Sequence, residues 1–155
     1  MANLKQIEKF LKRKDFKYKV IDLGGEVYTV EQVSETGVDE DEIVKTLIVR
    51  VKGLKKMQYV ALAVRGRDRV DFKKVRKLLG NQSELAKPEE VQRIVRVPVG
   101  AVCLILVGLP LYFDRCVMGL TRVNMGSGDL TKGLEMDLTD LLKAVEKYQV
   151  EEFVR

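Results

Sequence analysis

Seventeen consecutive residues, 97–113, carry no charge, and no other feature of this 155-residue chain restricts its fold so much. An apolar run of that length either crosses a membrane or lies in a protein core. Pro98, Gly100, Gly108 and Pro110 interrupt it. A proline inside a helix removes a backbone hydrogen bond and clashes with the preceding turn, and glycine weakens the helix further. The run therefore belongs to a core rather than a bilayer. Its expected course is a glycine loop reaching Gly100, a buried strand over 102–107, a turn over 108–110 and a strand over 111–113.

The flanking sequence switches between helical and strand periodicity. Leu4, Ile7, Phe10 and Leu11 recur at helical spacing behind Asn3, whose side chain can cap the first turn, and this helix ends near Asp15. Residues 16–22 alternate as a strand, and Gly24-Gly25 turns the chain. Thr29 with Gln32 forms a capping-box pattern opening a short helix that ends before Gly37. Residues 46–51 and 58–64 read as a hairpin with its turn over 53–56. Asp71 caps a helix that directs Phe72, Val75, Leu78 and Leu79 inward, stops at Gly80, and shows Lys73, Lys74, Arg76 and Lys77 on its other face. A further helix opens at Pro88, with Glu89 and Glu90 in its first turn. Strands over 120–124 and 134–138 flank Gly126-Ser127-Gly128, a helix over 139–147 follows, and the tail over 150–155 reads as an edge strand. Hairpins interrupted by helices predict an α+β fold: one domain over 1–155, with a mostly antiparallel, curled mixed sheet and surrounding helices.

What the chain lacks narrows its chemistry. It has no histidine, which removes serine triads, Cys–His dyads and HExxH zinc sites. Cys103 and Cys116, separated by twelve residues and set among apolar neighbours, read as packing residues rather than a zinc site or a disulfide. No metal and no cofactor is expected, and catalysis must rest on lysine, carboxylates, hydroxyls, backbone amides or the substrate's own groups. The cysteine usage and the charged amphipathic start, Met1 to Lys14, point to the cytoplasm and away from a leader peptide. Formal net charge is +5, and the basic residues gather in two clusters. One is Lys5, Lys9, Lys12, Arg13, Lys14, Lys17 and Lys19; the other is Arg65, Arg67, Arg69, Lys73, Lys74, Arg76 and Lys77. Such clusters either attract a polyanion, by releasing counterions from its phosphates, or form a solvated charge-rich surface.

Three positions invite a chemical reading, each with a plainer one beside it. Gly126-Ser127-Gly128 is either a backbone-amide cradle for a carbonyl oxygen or phosphate, or a hairpin loop. Gly100 allows a ligand close to the backbone, or only a tight turn. Lys45 is a charge at the threshold of the apolar strand Thr46-Leu47-Ile48-Val49, placed there for function or simply reaching out to solvent. The usual glycine-rich nucleotide-binding signatures are absent from the sequence.

Taken in order, these pieces resemble a known family. Residues 30–33 followed by Asp41-Glu42-Ile43-Val44-Lys45-Thr46-Leu47-Ile48-Val49 resemble the YbaK-like aminoacyl-tRNA deacylases, also called the prolyl-tRNA synthetase-associated editing domain family. There a short helix precedes a strand that begins Lys-Thr-Leu. Residues 71–80 are similar to the family's helix after its second strand, and Ala86-Lys87-Pro88-Glu89-Glu90-Val91 to the opening of the next helix. Gly100 resembles the glycine of the following loop, Phe113-Asp114 a hydrophobic-aspartate pair, Gly126-Ser127-Gly128 the late glycine-rich turn, and Leu138-Thr139-Asp140-Leu141 the closing segment. Two features depart from the pattern. Ala101-Val102-Cys103-Leu104 follow Gly100 without the usual proline, and Val97-Pro98-Val99 stands where a threonine-glycine is typical, so this loop is more apolar.

The resemblance implies a metal-independent hydrolase that deacylates misacylated tRNA, here as a free-standing editor acting in trans. Its partner is tRNA, with an aminoacyl-tRNA synthetase as a second partner, and neither membrane nor DNA is expected. Lys45 falls on the family's essential lysine and Thr46 on the neighbouring site threonine, the implied catalytic pair. Gly100, Ala101, Gly126, Ser127 and Gly128 fall on substrate-binding loops. Loop amides would stabilise the developing oxyanion while water or a substrate hydroxyl attacks. A non-catalytic tRNA- or protein-binding module of the same fold is the alternative, and a small-molecule binder with an apolar pocket is a third reading.

Overall fold

Local capping decides where the helices begin. The structure, a computed structural model, describes residues 3–53, 57–80 and 82–155. Helix α1 (Leu4–Arg13) starts at Asn3, whose side chain accepts from the Gln6 amide at 3.0 Å while Gln6 Oε1 accepts from the Asn3 amide at 2.9 Å. Thr29 and Gln32 repeat this reciprocal cap at α2 (Val30–Glu35). Asp71 caps α3 (Phe72–Leu79) through the Lys73 amide, Pro88 opens α4 (Pro88–Val95), and α5 (Leu138–Val145) closes the helical set. The side chains of Asn3, Thr29 and Asp71 satisfy N–H groups that the first helical turn leaves without partners.

The strands divide into two sheets. In the smaller, β1 (Lys19–Asp22), β7 (Lys132–Asp137) and β6 (Arg122–Gly126) pair antiparallel in that order. The larger runs β4 (Ser83–Leu85), β2 (Val44–Lys52), β3 (Met57–Arg65), β5 (Leu111–Asp114), β8 (Gln149–Glu151). Its hairpin holds Val44 opposite Arg65 and Lys52 opposite Met57, β4 lies antiparallel along β2, and β5 and β8 add in parallel. The expected α+β fold with mostly antiparallel pairing is therefore present, split into two sheets that an isolated parallel bridge ties at Ile43 and Asn124. Residues 54–56 of the expected hairpin turn lie outside the described residues.

The uncharged run corrects one expectation. Val102, Cys103, Leu104, Ile105 and Val107 are all at most 5% exposed, but no strand forms over 102–107. An apolar run without alternation reports burial, not pairing. β5, the strand into which the run leads, is already flanked by β3 and β8, and Leu106 breaks the extended path with φ 59°. The run instead fills the main core, packed among α1, α4, α5 and both sheets. Smaller shifts follow the same logic of pairing. β1 begins at Lys19, β6 runs on to Gly126 to pair with Gly133, and the short β4 forms along β2. A second cluster, with Val49, Val60, Leu62, Val64, Val75 and Phe153 at its centre, lies between α3 and the other face of the large sheet. Among the described residues no helix is long and apolar enough to cross a membrane.

Candidate functional site

A cavity of about 320 Å³ opens at the seam where β2 of the large sheet meets β6 of the small one. Its walls are the start of β2, the segment from Val27 into α2, the residues Val99, Gly100 and Val102, and the facing parts of β6 and β7. Three glycines let these pieces come together. A Cβ on Gly126 would stand 2.4 Å from the Val102 carbonyl oxygen and 2.9 Å from the Ala101 carbonyl carbon. One on Gly100, whose φ is +95°, would stand 2.8 Å from the Tyr28 carbonyl oxygen, and one on Gly66 would stand 2.9 Å from Val30 Cγ1. Real Cβ atoms do not come this close to backbone, so at Gly100 and Gly126 the cavity's shape depends on the missing side chain, and at Gly66 a side chain would press on those of Val30 and Ile43.

β2 supplies the polar chemistry. Val44 and Ile48 belong to the main core and Leu47 and Val49 to the cluster beneath α3, so by strand alternation Thr46 follows the first pair and Lys45 the second. Both line the cavity. Thr46 Oγ1 is buried and has no hydrogen-bond partner. Lys45 is partly buried and enters none of the ion pairs among the described residues. Loss of solvent lowers its pKa, Asp68 and Glu31 oppose that fall, and Arg69 adds to it. An ammonium short of water and a hydroxyl short of a partner thus border the cavity from successive positions of β2, their side chains on opposite faces of the strand, and either group suits an incoming carbonyl, hydroxyl or anion.

The residues singled out by sequence divide between the wall and the structure behind it. Lys45, Thr46, Gly100 and Gly126 line the cavity, whereas Ala101, Ser127 and Gly128 do not. The Ala101 carbonyl accepts from the Gly128 amide at 2.7 Å, joining the two loops behind the wall. Ser127 is fully buried; its Oγ donates toward the carbonyls of Lys132 at 2.7 Å and Asp129 at 3.1 Å and accepts from the Asp129 amide at 3.2 Å. Sequence reasoning missed Gly66, the Tyr28–Val30 lip and Asn124, all of which line the cavity. Asn124 is 5% exposed and its Nδ2 donates to Glu42 Oε1 at 3.2 Å. Its one signal was a carboxamide inside an apolar strand. Asp129 and Lys132 also line the wall. Asp129 accepts from the Thr131 amide and hydroxyl, which holds its carboxyl below the usual range, and Lys132 pairs with Asp22 at 3.3 Å.

The cysteines are free thiols outside the cavity. Burial pushes the Cys103 thiol up to about 12. Cys116 brings its sulfur within 4.8 Å of carboxylate oxygens of Asp68 and Asp114. Those carboxylates already have partners: Arg65 Nε reaches Asp68 at 2.7 Å, and Asp114 accepts from the Cys116 and Phe153 amides at 2.9 Å each. The cluster reads as a knot holding the 3-10 turn Arg115–Gly119 and the tail to the end of β3.

Fold and site together define a small α+β domain whose ligand cavity is built from a strand-borne Lys-Thr pair, two glycine loops and the seam between sheets. A family model, that of the aminoacyl-tRNA editing domain, matches residues 25–144, and the chain belongs to this family. Among curated proteins it is similar to the proline–tRNA ligase of Maridesulfovibrio salexigens, 41% identical over 75 residues, covering 47% of this chain and 12% of that one. It is also similar to the proline–tRNA ligase of Caldicellulosiruptor saccharolyticus, 34% identical over 103 residues, covering 65% of this chain and 17% of that one. The chain thus spans less than a fifth of these relatives' length. Among solved structures, a hypothetical protein superposes with a TM-score of 0.82 at 26% identity, covering 96% of this chain and 99% of its own. A candidate trans-editing enzyme for prolyl-tRNA synthetase superposes with a TM-score of 0.81 at 24% identity, covering 100% and 98%.

Proposed function

We propose that this domain, residues 1–155 acting as one unit, hydrolyses the ester of misacylated tRNA and frees the amino acid from the tRNA 3′ end. The observation that carries this reading is Lys45, an ammonium lining the cavity without an ion-pair partner among the described residues, next in sequence to Thr46, whose buried hydroxyl has no hydrogen-bond partner. Lys45 holds the acylated terminus through its ester carbonyl or a ribose oxygen, and Thr46 Oγ1 offers a second hydrogen bond. Backbone at Gly100 and Gly126, bare of side chains, lets the ester lie against the loops, while Ala101, Ser127 and Gly128 hold those loops in place. Water attacks the ester carbonyl, the acyl–ribose C–O bond breaks, the amino acid leaves with its new carboxylate, and the expelled ribose oxygen takes up a proton released by the water, with the neighbouring ribose hydroxyl placed to orient that water. The ester is already activated, so positioning and charge stabilisation suffice without a strong protein base or a metal.

Family membership supports the substrate class, and the likeness to proline–tRNA ligases supports a link to prolyl-tRNA synthetase as partner. Coverage of nearly the whole of a candidate trans-editing enzyme supports action as a free-standing domain, and membership of a tRNA-editing family supports a place in the cytoplasm, where tRNA is charged. The test is deacylation of a panel of tRNAs charged with small amino acids, including mischarged prolyl tRNA. Turnover of one or more members is expected. Salt-sensitive tRNA binding without turnover of any member would favour the non-catalytic module.

A further inference from the structure

Sequence leaves the two basic clusters equivalent, and the fold separates them. α1 buries Ile7 and Leu11, and its Phe10 and Lys14 border a groove beside Leu106 and α5, away from the site. Lys17 and Lys19 border a different groove with Arg122 and Glu135. The second cluster begins at the site itself. Gly66 lines the cavity, Arg67 follows it, and Asp68 and Arg69 are among the charges acting on Lys45.

From there the chain enters α3, and topology fixes its direction. α3 follows β3, whose last two residues, Val64 and Arg65, lie opposite Lys45 and Val44, and it precedes β4, which pairs with Val49 to Val51. The helix therefore starts at the cavity end of the hairpin and runs toward the far end, about 12 Å at 1.5 Å per residue. Val75 faces inward, while Lys73, Lys74, Arg76 and Lys77 are all exposed. No acidic residue interrupts the helix, and none of these four joins an ion pair among the described residues. Arg65 and Arg67, by contrast, are paired with Asp68 and Asp41. The unneutralised charge is a strip leading away from the cavity mouth.

We propose that the exposed face of α3 is the track on which the tRNA backbone lies, with phosphates of the acceptor end along Lys73, Lys74, Arg76 and Lys77 and the acylated 3′ terminus passing Arg69 into the cavity. The occupant rests on the deacylase reading; the placement rests on charge, exposure and the path of the chain. The cluster on α1 is solvated surface, since it borders no part of the site.

The experiment compares wild type with two variants, Lys73→Gln/Arg76→Gln/Lys77→Gln on α3 and Lys5→Gln/Lys9→Gln/Lys12→Gln on α1. Binding of uncharged bulk tRNA is measured against salt, and hydrolysis is measured on mischarged tRNA and on an aminoacylated CCA trinucleotide. Loss of three phosphate contacts should lower the log–log salt slope by roughly 2 to 3 in the α3 variant. KM for mischarged tRNA should rise at least about tenfold at moderate salt, while kcat and hydrolysis of the trinucleotide stay at wild-type values. The α1 variant should behave as wild type, and thermal unfolding should be unchanged in both. Wild-type slope and KM in the α3 variant, or an equal loss in the α1 variant, would overturn the track and leave the deacylase reading standing. Salt-dependent binding lost only in the α3 variant, with no hydrolysis by wild type, would support the track and overturn the deacylase reading.

Discussion

Replacing Lys45 by methionine should make the domain slower and no less stable, an outcome that separates a ligand-binding lysine from a structural one. The folded state holds this ammonium partly out of water with no carboxylate at ion-pair distance among the described residues, which depresses its pKa. A lysine whose folded pKa lies below its unfolded value costs stability while it is charged. That cost is fully present below the folded pKa and disappears as pH rises through the unfolded value. At neutral pH, Lys45→Met keeps the aliphatic stem and removes the cost, so the unfolding midpoint should hold or rise, and its difference from wild type should shrink at alkaline pH. Activity should move the other way. A charge-assisted hydrogen bond to the substrate contributes about 1.5 to 3 kcal/mol, so kcat/KM should fall roughly ten- to a hundredfold. Lys45→Arg should not restore it, because a planar guanidinium does not fit where a compact ammonium did. Urea unfolding at neutral and alkaline pH, beside deacylation at neutral pH, provides the readout. Wild-type kcat/KM in Lys45→Met would refute the site, and parallel losses of stability and rate would mean the lysine serves the fold.

Other outcomes follow from the geometry of the wall and its supports. Gly126→Ala places a methyl 2.4 Å from the Val102 carbonyl oxygen, so the loop must shift. A stability loss of about 1 to 3 kcal/mol with a raised KM is expected, and an unchanged urea midpoint would contradict the close approach. Asp114→Ala leaves the Phe153 and Cys116 amides without their carboxylate, and should cost about 1 to 3 kcal/mol while kcat per folded molecule stays constant. An activity loss beyond the unfolded fraction would give Asp114 a role in the reaction. Chelation should leave hydrolysis of pre-charged tRNA unchanged when monovalent salt maintains the RNA fold, and rescue by zinc alone would overturn the metal-independent mechanism.

How far the sequence was legible depended on the range of the interaction concerned. The caps of α1 and α2 are written within four residues: Asn3 and the Thr29–Gln32 pair form them as expected, and Gln6 completes the first. The pairing of β2 with β3 is likewise local, two apolar segments close in sequence, the first of them rich in β-branched residues. Burial of Val102 to Ile105 was legible from the absence of charge, but their backbone path was not, because pairing depends on which strands already flank β5. The site follows the same division. Lys45 and Thr46 were visible as polar residues starting an apolar strand. Gly66 and Asn124 gain meaning only when Val30 crosses the end of β3 and when β6 meets Ile43. Ser127 shows the converse: a serine between glycines suggests an available hydroxyl, and only the fold reveals that two carbonyls and an amide already use it.

The bridge between Ile43 and Asn124 has a consequence for how the domain breathes. Backbone pairing joins the sheets there, among the described residues, at one isolated contact on the rim of the cavity. Amides at Val49 to Val51 and Ala61 to Ala63, which have a paired strand on both sides, should exchange with deuterium only on global unfolding, whereas those near the bridge should exchange through smaller openings. A molecule lodged between Lys45 and Gly126 would touch both sheets at once and act as a rivet across the seam. Its binding would then slow exchange in β1, which lends no residue to the cavity wall, and the interval between the apo and bound exchange rates would measure how much of the site's order the ligand itself supplies.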